Sequence, residues 1–239
     1  MTTLIVGATG ATGQLLVQQL LERNQSVKAI VRSPKKLPAS IQNHSHLSLT
    51  QASILDLTEA ELIEQTRDCS AIASCLGHTL SIKGIFGSPH NLVTEATRRL
   101  CAAAHQSHPE QSVKFILMNS AGVINPNADE TVSLAQTTVL KLIRLLPPHA
   151  DNEQAAAHLQ LHAQTQNIEW AAVRPDGLIN TNNITDYDLH PSPTRSAIFN
   201  AGTISRINVA NFIARLITEN DMWQQWKNQM PVIYNAERT

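Results

Sequence analysis

The sequence is poor in the features that mark nucleic-acid-binding, membrane and secreted proteins. Its 239 residues carry 18 basic and 19 acidic side chains, so the net charge of −1 gives no basic surface for nucleic acid or an anionic membrane. No apolar run approaches the roughly 20 residues that a bilayer-spanning helix needs. The first residues lack the basic and apolar regions of a secretory signal. We therefore expect a cytoplasmic protein with neither a nucleic-acid nor a membrane partner.

Cysteine is also scarce, with only Cys69, Cys75 and Cys101. These residues form no Cys-x-x-Cys pair and no Cys/His cluster at metal-ligand spacing. An odd number of cysteines in a chain without a secretory signal predicts reduced, buried thiols. His158 and His162 are four residues apart, but they stand in no HExxH pattern and have no evident acidic third ligand nearby. We therefore expect no metal site, and we interpret both histidines as surface residues of a helix.

What the chain does contain is a regular alternation of short apolar runs and helical patterns. Six apolar runs predict buried parallel strands, and they cover residues 3–6, 27–31, 46–51, 70–76, 113–118 and 168–173. The helical patterns between them cover residues 14–23, 58–67, 91–105 and 151–165. In the second of these, Thr58 and Glu61 have the spacing of a capping box.

This alternation predicts an α/β fold, a single Rossmann-type doubly wound parallel sheet with helices on both faces. One NAD(P)-binding domain is expected to span residues 1–239, because no repeat or low-complexity tract interrupts the pattern. Residues 180–195 are rich in Pro and Asn and are expected to form a loop. Residues 202–216 return to a strand followed by a helix.

A glycine-rich turn follows the first predicted strand and opens the first predicted helix: Gly7-Ala8-Thr9-Gly10-Ala11-Thr12-Gly13. In such a turn the first glycine permits a tight bend, the second lets the backbone approach a pyrophosphate, and the third lets helix and strand pack closely. The helix N-terminus adds free N–H groups and a positive dipole, and the two threonines add hydroxyl donors. The turn predicts a dinucleotide site, whose expected contacts are Gly7, Thr9, Gly10, Ala11, Thr12 and Gly13.

The end of the second strand indicates which dinucleotide is bound. An acidic residue there would accept a hydrogen bond from a free ribose 2′-hydroxyl and would repel a 2′-phosphate. This sequence instead has Arg32 and Ser33, followed by Lys35 and Lys36. A guanidinium suits a 2′-phosphate and can stack on adenine, so NADP(H) is favoured over NAD(H), with Arg32, Ser33 and Lys35 as contacts. The alternative is that the lysines belong to a solvated loop, which fits Lys36 more readily than Arg32.

The motifs along the chain resemble the atypical short-chain dehydrogenase/reductases. The resemblance rests on the glycine turn, on Val31-Arg32, and on three segments that follow later strands: Cys75-Leu76-Gly77, Asn119-Ser120-Ala121-Gly122 and Val173-Arg174-Pro175-Asp176-Gly177-Leu178. Their order is most similar to the NmrA-like and biliverdin-IXβ/flavin reductase branch of NAD(P)H-binding proteins. The resemblance covers nearly the whole chain, from Gly7 to Ile204-Ser205-Arg206.

This resemblance implies further cofactor contacts beyond the glycine turn. From adenine to nicotinamide they are Ser53, Ile54, Leu76, Gly77, Ser120 and Pro175. The family usually has an aspartate for the adenine amino group where this chain has Ser53, so only a backbone contact is implied there. Pro175 is expected near the nicotinamide carboxamide and Ser120 beside the nicotinamide ring.

One departure from the main branch of the family concerns the Tyr-x-x-x-Lys pair, in which Lys lowers the pKa of a Tyr that acts as general acid. In this chain the positions that correspond to this Tyr and Lys are about Asn152 and Ala156. The chain has only Tyr187 and Tyr234, and neither has a lysine four residues later. The usual proton donor is therefore absent, as it is in the biliverdin-IXβ/flavin reductases.

Hydride transfer needs chiefly proximity to the nicotinamide, and a conjugated acceptor can take its proton from water. Ser120 is expected to orient the acceptor, with Asn119 and Asp176 as the nearest other polar candidates. Asp176 is either a proton relay or a plain turn residue. Residues 125–150 are the expected lid over the substrate side, with a helix over 131–146 whose apolar stripe would alternatively pack on the core. His78, Ile85 and Phe86 would form the opposite wall, or 85–89 would merely cap the next helix.

These observations favour an NADPH-dependent oxidoreductase that transfers hydride to a conjugated small molecule such as a flavin, a quinone or a tetrapyrrole-like compound. The alternative is a non-catalytic NADP-binding regulator or assembly factor of the NmrA-like type, because the Tyr/Lys pair is missing. A nucleotide-sugar epimerase or dehydratase is less consistent with that absence. The expected partner is a small-molecule acceptor, and the sequence leaves open a monomer or a homodimer.

Overall fold

The computed structural model describes residues 1–78, 89–128, 130 and 146–237, in which strands and helices alternate along the chain. The strands are β1 (Thr2–Val6), β2 (Ser26–Val31), β3 (Leu47–Gln51), β4 (Ala71–Ser74), β5 (Val113–Met118), β6 (Ile168–Pro175), β7 (Gly177–Ile179), β8 (Tyr187–His190), β9 (Thr203–Ser205) and β10 (Val232–Asn235). The helices are α1 (Gly13–Glu22), α2 (Ala39–Gln42), α3 (Glu59–Thr66), α4 (Leu92–Ser107), α5 (Pro147–His162), α6 (Arg206–Thr218) and α7 (Asn220–Trp226). Pro34–Lys36 and Gln164–Gln166 form 3₁₀ turns.

Eight of the strands form one sheet in the order β3-β2-β1-β4-β5-β6-β10-β8. Every neighbouring pair is parallel except β10 and β8, which are antiparallel. The order reverses between β1 and β4, as it does in doubly wound nucleotide-binding sheets. The predicted α/β fold with a parallel Rossmann-type sheet is therefore confirmed.

Helices cover both faces of the sheet, and each face has its own apolar core. On one face α1, α6 and α7 pack together over side chains such as Ile5, Leu16 and Phe212. On the other face α3, α4 and α5 pack over side chains such as Leu4, Leu100 and Phe115. Because β1 contributes Leu4 to one core and Ile5 to the other, the alternation of its side chains ties the two layers to a single sheet.

The capping box predicted at the start of α3 is present. The Thr58 side chain accepts a hydrogen bond from the Glu61 backbone N–H, and the Glu61 carboxylate accepts one from the Thr58 N–H at 2.7 Å. These bonds to Thr58 lower the pKa of Glu61. The reciprocal bonds satisfy two of the N–H groups that a helix start leaves without partners.

Two segment predictions were wrong. The predicted loop over 180–195 contains β8, whose Tyr187 and Leu189 pack on the core while the strand pairs with β10. The surrounding Pro and Asn residues hide this short alternation of apolar and polar side chains. The helix predicted from Asp151 begins earlier, at Pro147, because proline fits the first turn of a helix.

Other predicted features have mixed outcomes. The three cysteines are buried and unpaired, as predicted. Of the two helix histidines, His162 is exposed but His158 is half-buried, and burial lowers the pKa of the His158 imidazole. In the predicted lid, residues 129 and 131–145 lie outside the described residues. No helix in the described ranges is both long enough and apolar enough to cross a bilayer.

Candidate cofactor site

A cleft of about 290 Å³ opens at the carboxyl ends of the strands, where the strand order reverses. In open α/β sheets this crevice is where nucleotides bind. The residues that line it are Val6, Gly7, Thr9, Gly10, Ile30, Val31, Arg32, Lys36, Ala52, Ser53, Ile54, Cys75, Leu76, Gly77, Pro89 and Leu92. The structure thus brings together residues that follow four different strands.

The glycine turn forms one side of the cleft, and its three glycines differ in the space around them. Gly7 has φ +77°, and a Cβ there would lie 2.4 Å from the Cys75 carbonyl oxygen. A Cβ on Gly13 would lie 2.2 Å from the Gly7 carbonyl oxygen. Gly10 is exposed, and its N–H donates to the Gly7 carbonyl at 2.9 Å. Gly7 and Gly13 are therefore required for the bend and for helix packing. A Cβ on Gly10 would lie 3.2 Å from the Gly7 carbonyl oxygen, and its absence leaves the Gly10 backbone accessible from the cleft.

The remaining residues of the turn lie at the start of α1. Thr9 lines the cleft, and Ala11 is exposed. Thr12 is buried at the N-cap position, but its side chain makes no capping hydrogen bond. The first turn of α1 therefore has N–H groups that a bound anion can satisfy.

Two cationic side chains line the far end of the cleft, Arg32 after β2 and Lys36 in the 3₁₀ turn. Both are exposed, and neither side chain makes an ion pair or hydrogen bond with another residue in the described ranges. Ser33 and Lys35, which were predicted as contacts, do not line the described cleft. Lys36, for which a solvated loop is the readier sequence interpretation, does line the cleft. It is the last residue of the 3₁₀ turn Pro34–Lys36.

The wall expected next to adenine is the segment after β3. Ser53 and Ile54 both line the cleft, as the resemblance implied. Arg99 of α4 stabilises this segment. Its guanidinium donates to the carbonyls of Ile54 at 3.1 Å, Leu55 at 2.8 Å and Leu57. Sequence reasoning missed Arg99, because one arginine within a long helix carries no signal of what it will reach.

The opposite wall is the segment after β4, which we call the cofactor loop (residues 75–78). Leu76 and Gly77 line the cleft, as the resemblance implied. Cys75 also lines it, but burial raises the pKa of its thiol to about 12, so this thiol stays protonated and unreactive at neutral pH. His78 is expected to wall the substrate side opposite the lid, and in the structure its ring is buried against Asp151. Ile85 and Phe86 lie outside the described residues.

The segment after β5, which we call the acceptor loop (residues 119–122), contains the predicted catalytic serine. Ser120 is half-buried, and its Oγ accepts a hydrogen bond from the Gly122 N–H at 3.2 Å. The buried Asn119 side chain accepts from the Ser120 N–H at 2.8 Å and donates to the Asn152 carbonyl at 3.1 Å. Neither residue belongs to the described lining of the 290 Å³ cleft. Asn119 thus positions Ser120 with both ends of its amide.

Pro175 and Asp176 lie at the end of β6. The Pro175 carbonyl accepts from the Ala121 N–H at 2.9 Å, and this residue is absent from the described lining of the cleft. Asp176 is half-buried and its carboxylate accepts from the Gly202 N–H at 2.8 Å. Burial raises the pKa of Asp176, and the Gly202 hydrogen bond opposes that rise. Its contacts fit the interpretation as a turn residue better than that as a relay.

Arg174, noted in the sequence only as part of a motif, is fully buried and connects several segments. Its guanidinium donates to the carbonyls of Met230 at 2.7 Å, Val123 at 2.9 Å and Pro191 at 3.1 Å. It also lies 2.7 Å from the buried Glu130 carboxylate. This network fixes the end of β6 against the segment that follows the acceptor loop.

The first turns of α5 face both loops. The Asp151 carboxylate is buried within hydrogen-bond distance of the His78 ring, and the neighbouring Asn152 carbonyl binds Asn119. No tyrosine or lysine occurs within α5, the helix on which Asn152 and Ala156 were assigned the Tyr and Lys places. Tyr187 lies on β8, where its hydroxyl donates to Asn211, and Tyr234 lies on β10.

Comparison with known proteins places this geometry in context. A family model described as NAD(P)H-binding matches residues 7–220. An uncharacterized chloroplastic protein of Arabidopsis thaliana is 27% identical over 219 residues, which cover 91% of this chain and 72% of that protein.

Two solved structures are similar to this chain in fold. One is a short-chain dehydrogenase/reductase from Veillonella parvula in complex with NADP, with a TM-score of 0.70 and 16% identity, over 98% of this chain and 94% of that one. The other is an anaerobilin reductase from Escherichia coli O157:H7, with a TM-score of 0.69 and 16% identity, over 100% of this chain and 99% of that one. At these identities the likeness concerns the fold.

Proposed function

The chain belongs to the NAD(P)H-binding family, and from that premise we propose that it is an NADPH-dependent oxidoreductase that transfers hydride to a conjugated small molecule. The observation that carries the proposal is the cleft at the glycine turn, which the exposed Gly10 backbone lines and which ends in Arg32 and Lys36, two cations that no other described residue pairs with. A dinucleotide phosphate needs these two features, close backbone approach at the pyrophosphate and positive charge at the 2′-phosphate.

The preference for NADPH rests on Arg32 and Lys36. Both line the cleft, and neither is neutralised by another described residue. An arginine can bind a phosphate through two parallel N–H···O bonds and can stack on adenine, whereas a lysine supplies a compact charge. A free 2′-hydroxyl would leave both cations without an anionic partner.

The lining of the cleft supports the binding of the adenine, pyrophosphate and ribose parts of a dinucleotide. Ser53 and Ile54 would hold the adenine, the turn from Gly7 to Gly13 the pyrophosphate, and Leu76 with Gly77 the riboses. Bound NADPH supplies a hydride from the C4 atom of its nicotinamide. The protein contributes alignment, since Ser120 stands after β5 on the side where the nicotinamide would end. The acceptor must then lie within about 3.5 Å of that carbon atom.

We infer the chemical class of the hydride acceptor from the residue types that are missing from α5. Its sixteen residues include no tyrosine and no lysine, so the usual general acid is missing from this helix. A flavin, a quinone or a tetrapyrrole-like compound can accept hydride without a protein acid, because its conjugated system delocalises the added charge. The name of the anaerobilin reductase, which has a similar fold, supports a conjugated acceptor of this kind.

The second candidate is a non-catalytic NADP-binding regulator or assembly factor. It is favoured by the engagement of Asn119 and Asp176 in hydrogen bonds within the protein. Both candidates predict that NADPH binds in the cleft, so binding alone does not separate them. Only the reductase oxidises the bound cofactor.

Oxidation of NADPH by the purified protein separates the two functions. The assay compares rates with and without FMN, a quinone and biliverdin. It uses the wild type, Ser120→Ala and a matched control, Ser112→Ala, at an exposed residue that directly precedes β5. We expect acceptor-dependent oxidation that Ser120→Ala slows by about tenfold or more and that Ser112→Ala leaves intact. NADPH binding without oxidation in the presence of any acceptor would rule out the reductase and support the regulator.

A further inference from the structure

The cofactor loop and the acceptor loop are connected through two consecutive residues at the start of α5. Asp151 binds the end of the cofactor loop through His78. Asn152 binds the start of the acceptor loop, because its carbonyl accepts a hydrogen bond from the Asn119 side chain at 3.1 Å. Asn119 in turn accepts from the Ser120 N–H at 2.8 Å. An unbroken chain of contacts therefore runs from His78 to Ser120.

The first link is a buried pair of ionisable groups. The His78 Nε2 atom lies 2.8 Å from Asp151 Oδ2, and the two side chains are 6% and 0% exposed. The carboxylate also accepts from the Val93 N–H and the Thr94 N–H, each at 2.8 Å, at the N-terminus of α4. A carboxylate only accepts hydrogen bonds, so in the tautomer that pairs with the Asp151 carboxylate the His78 Nε2 is the donor.

This arrangement does more than cap a helix. The two N–H groups of α4 already orient the Asp151 carboxylate, and the Thr94 hydroxyl adds a bond to the Asp151 carbonyl at 2.9 Å. The bond from His78 is therefore not needed to begin α4. The distinct effect of this bond is to connect His78 to the turn of α5 that also binds Asn119. His78 directly follows Gly77, and Gly77 lines the cleft.

We propose that His78 and Asp151 are positioning residues: they hold the acceptor-side serine in a fixed place relative to the cofactor cleft. The proposal rests on the proposed reductase function for its kinetic consequence but not for its structural one. In the main branch of the short-chain dehydrogenase/reductases the Tyr and Lys places fall on this helix; in this chain α5 supplies a carboxylate and a carbonyl that contact the two loops. The protein thereby gains alignment in place of a general acid.

The test compares three substitutions. His78→Leu removes the N–H donor, His78→Gln retains one at the position of Nε2, and Thr66→Val is the matched control. Thr66 is buried, and its hydroxyl bonds the Leu62 carbonyl at 3.1 Å within α3 and the Ser107 hydroxyl at 2.9 Å at the C-terminal end of α4, away from both loops. Each variant is assayed for NADPH affinity, for single-turnover oxidation of bound NADPH by FMN, and for hydrogen exchange of the Ser120 amide.

For His78→Leu we expect hydride transfer to slow by about 10- to 100-fold while the Kd for NADPH changes by less than about threefold. The Ser120 amide should exchange about tenfold faster, because the contact that orders Asn119 is weakened. His78→Gln should recover at least about half of the loss on a logarithmic scale. Thr66→Val should lower the melting temperature without changing either the transfer rate or Ser120 exchange.

The two readouts separate the possible failures. If no acceptor is reduced by the wild type, the proposed function is wrong, and Ser120 exchange still decides whether the link exists. Unchanged Ser120 exchange in His78→Leu overturns the positioning role whether or not the enzyme is active. If His78→Leu does not fold, Asn119→Ala cuts the same link from its other end. Wild-type transfer in that variant would also overturn the proposal.

Discussion

The cofactor side of the site and its acceptor side are built in opposite ways. The cofactor side is the cleft at the glycine turn, and the acceptor side is the acceptor loop with the end of β6, outside the described lining of that cleft. On the cofactor side, the cationic side chains of Arg32 and Lys36 are exposed and have no ion-pair or hydrogen-bond partner within the described ranges. On the acceptor side, the polar candidates are already bonded to the protein. Asn119 uses both ends of its amide, and Asp176 accepts from Gly202.

This difference indicates two kinds of specificity. A side with free cations selects its ligand by charge, because the ligand supplies the missing partner. A side whose polar groups are already satisfied contributes shape and alignment, since breaking its internal bonds for a ligand would leave buried groups unpaired. We therefore expect the cofactor to be chosen by its 2′-phosphate and the acceptor by its fit beside the nicotinamide.

The largest loss of stability should come from breaking the Arg174 network at the end of β6, on the acceptor side. Arg174→Met leaves the buried Glu130 carboxylate without its cation and three carbonyls without a donor. We expect a loss of about 3–5 kcal/mol in the free energy of unfolding, measured in urea. Arg98→Met, which removes an exposed ion pair with Glu95, is the matched control and should cost less than about 1 kcal/mol. Similar losses for the two variants would contradict a network role for Arg174.

The next largest effect should come from a substitution in the glycine turn of the cofactor side. Gly7→Ala would place a Cβ 2.4 Å from the Cys75 carbonyl at a φ of +77°, so it should destabilise the protein by about 2–4 kcal/mol. Gly77→Ala is the control, because a Cβ there meets no atom within 4 Å, and its stability should stay within about 0.5 kcal/mol of the wild type. Denaturant unfolding of both variants tests this, and an intact Gly7→Ala would mean that the turn can relax.

A smaller effect should appear in binding alone. Arg32→Ala and Lys36→Ala should each weaken NADPH binding by about 10-fold or more while changing NADH binding by less than about threefold. Lys35→Ala is the matched control, because Lys35 is exposed and does not line the described cleft. Isothermal titration of the variants with NADPH and NADH tests the assignment of Arg32 and Lys36 to the 2′-phosphate. A loss of NADPH affinity in Lys35→Ala as large as that in Lys36→Ala would mean that the phosphate binds on the outer face of the 3₁₀ turn.

The smallest effect concerns pH. Burial raises the pKa of Asp176, so the folded protein holds this proton more tightly than the unfolded chain, whose pKa is about 3.9. The resulting stabilisation is fully present below the unfolded pKa and is lost as pH rises through the raised folded value. Asp176→Asn keeps an acceptor for Gly202, so at pH 7 it should match or slightly exceed the wild-type stability, within about 0.5 kcal/mol. A clear loss at pH 7 would show that the charge itself stabilises the turn.

The cofactor side was largely predictable from the sequence because its information is local. Gly7, Gly10 and Gly13 act through their own backbone and immediate neighbours, so their spacing predicted the bend and the packing that the structure shows. Even there, the choice between Lys35 and Lys36 depended on how one 3₁₀ turn directs two adjacent side chains.

The acceptor side was less predictable because its contacts join distant parts of the chain. His78 and Asp151 are 73 positions apart, and the Arg174 side chain reaches Met230 across 56 positions. A single sequence contains no signal for such pairs. Asn119 and Asp176 are catalytic candidates by their chemistry alone, and the sequence does not predict the backbone hydrogen bonds that both side chains make in the structure.

The most direct test of the comparison is a titration of the wild-type protein with NADPH and with NADH under identical low-salt conditions. If the free cations of the cofactor side select the ligand, NADPH should bind about 10- to 100-fold more tightly, and added salt should reduce that ratio by screening the exposed charges. Equal affinities, or tighter binding of NADH, would contradict the assignment of Arg32 and Lys36 to the 2′-phosphate.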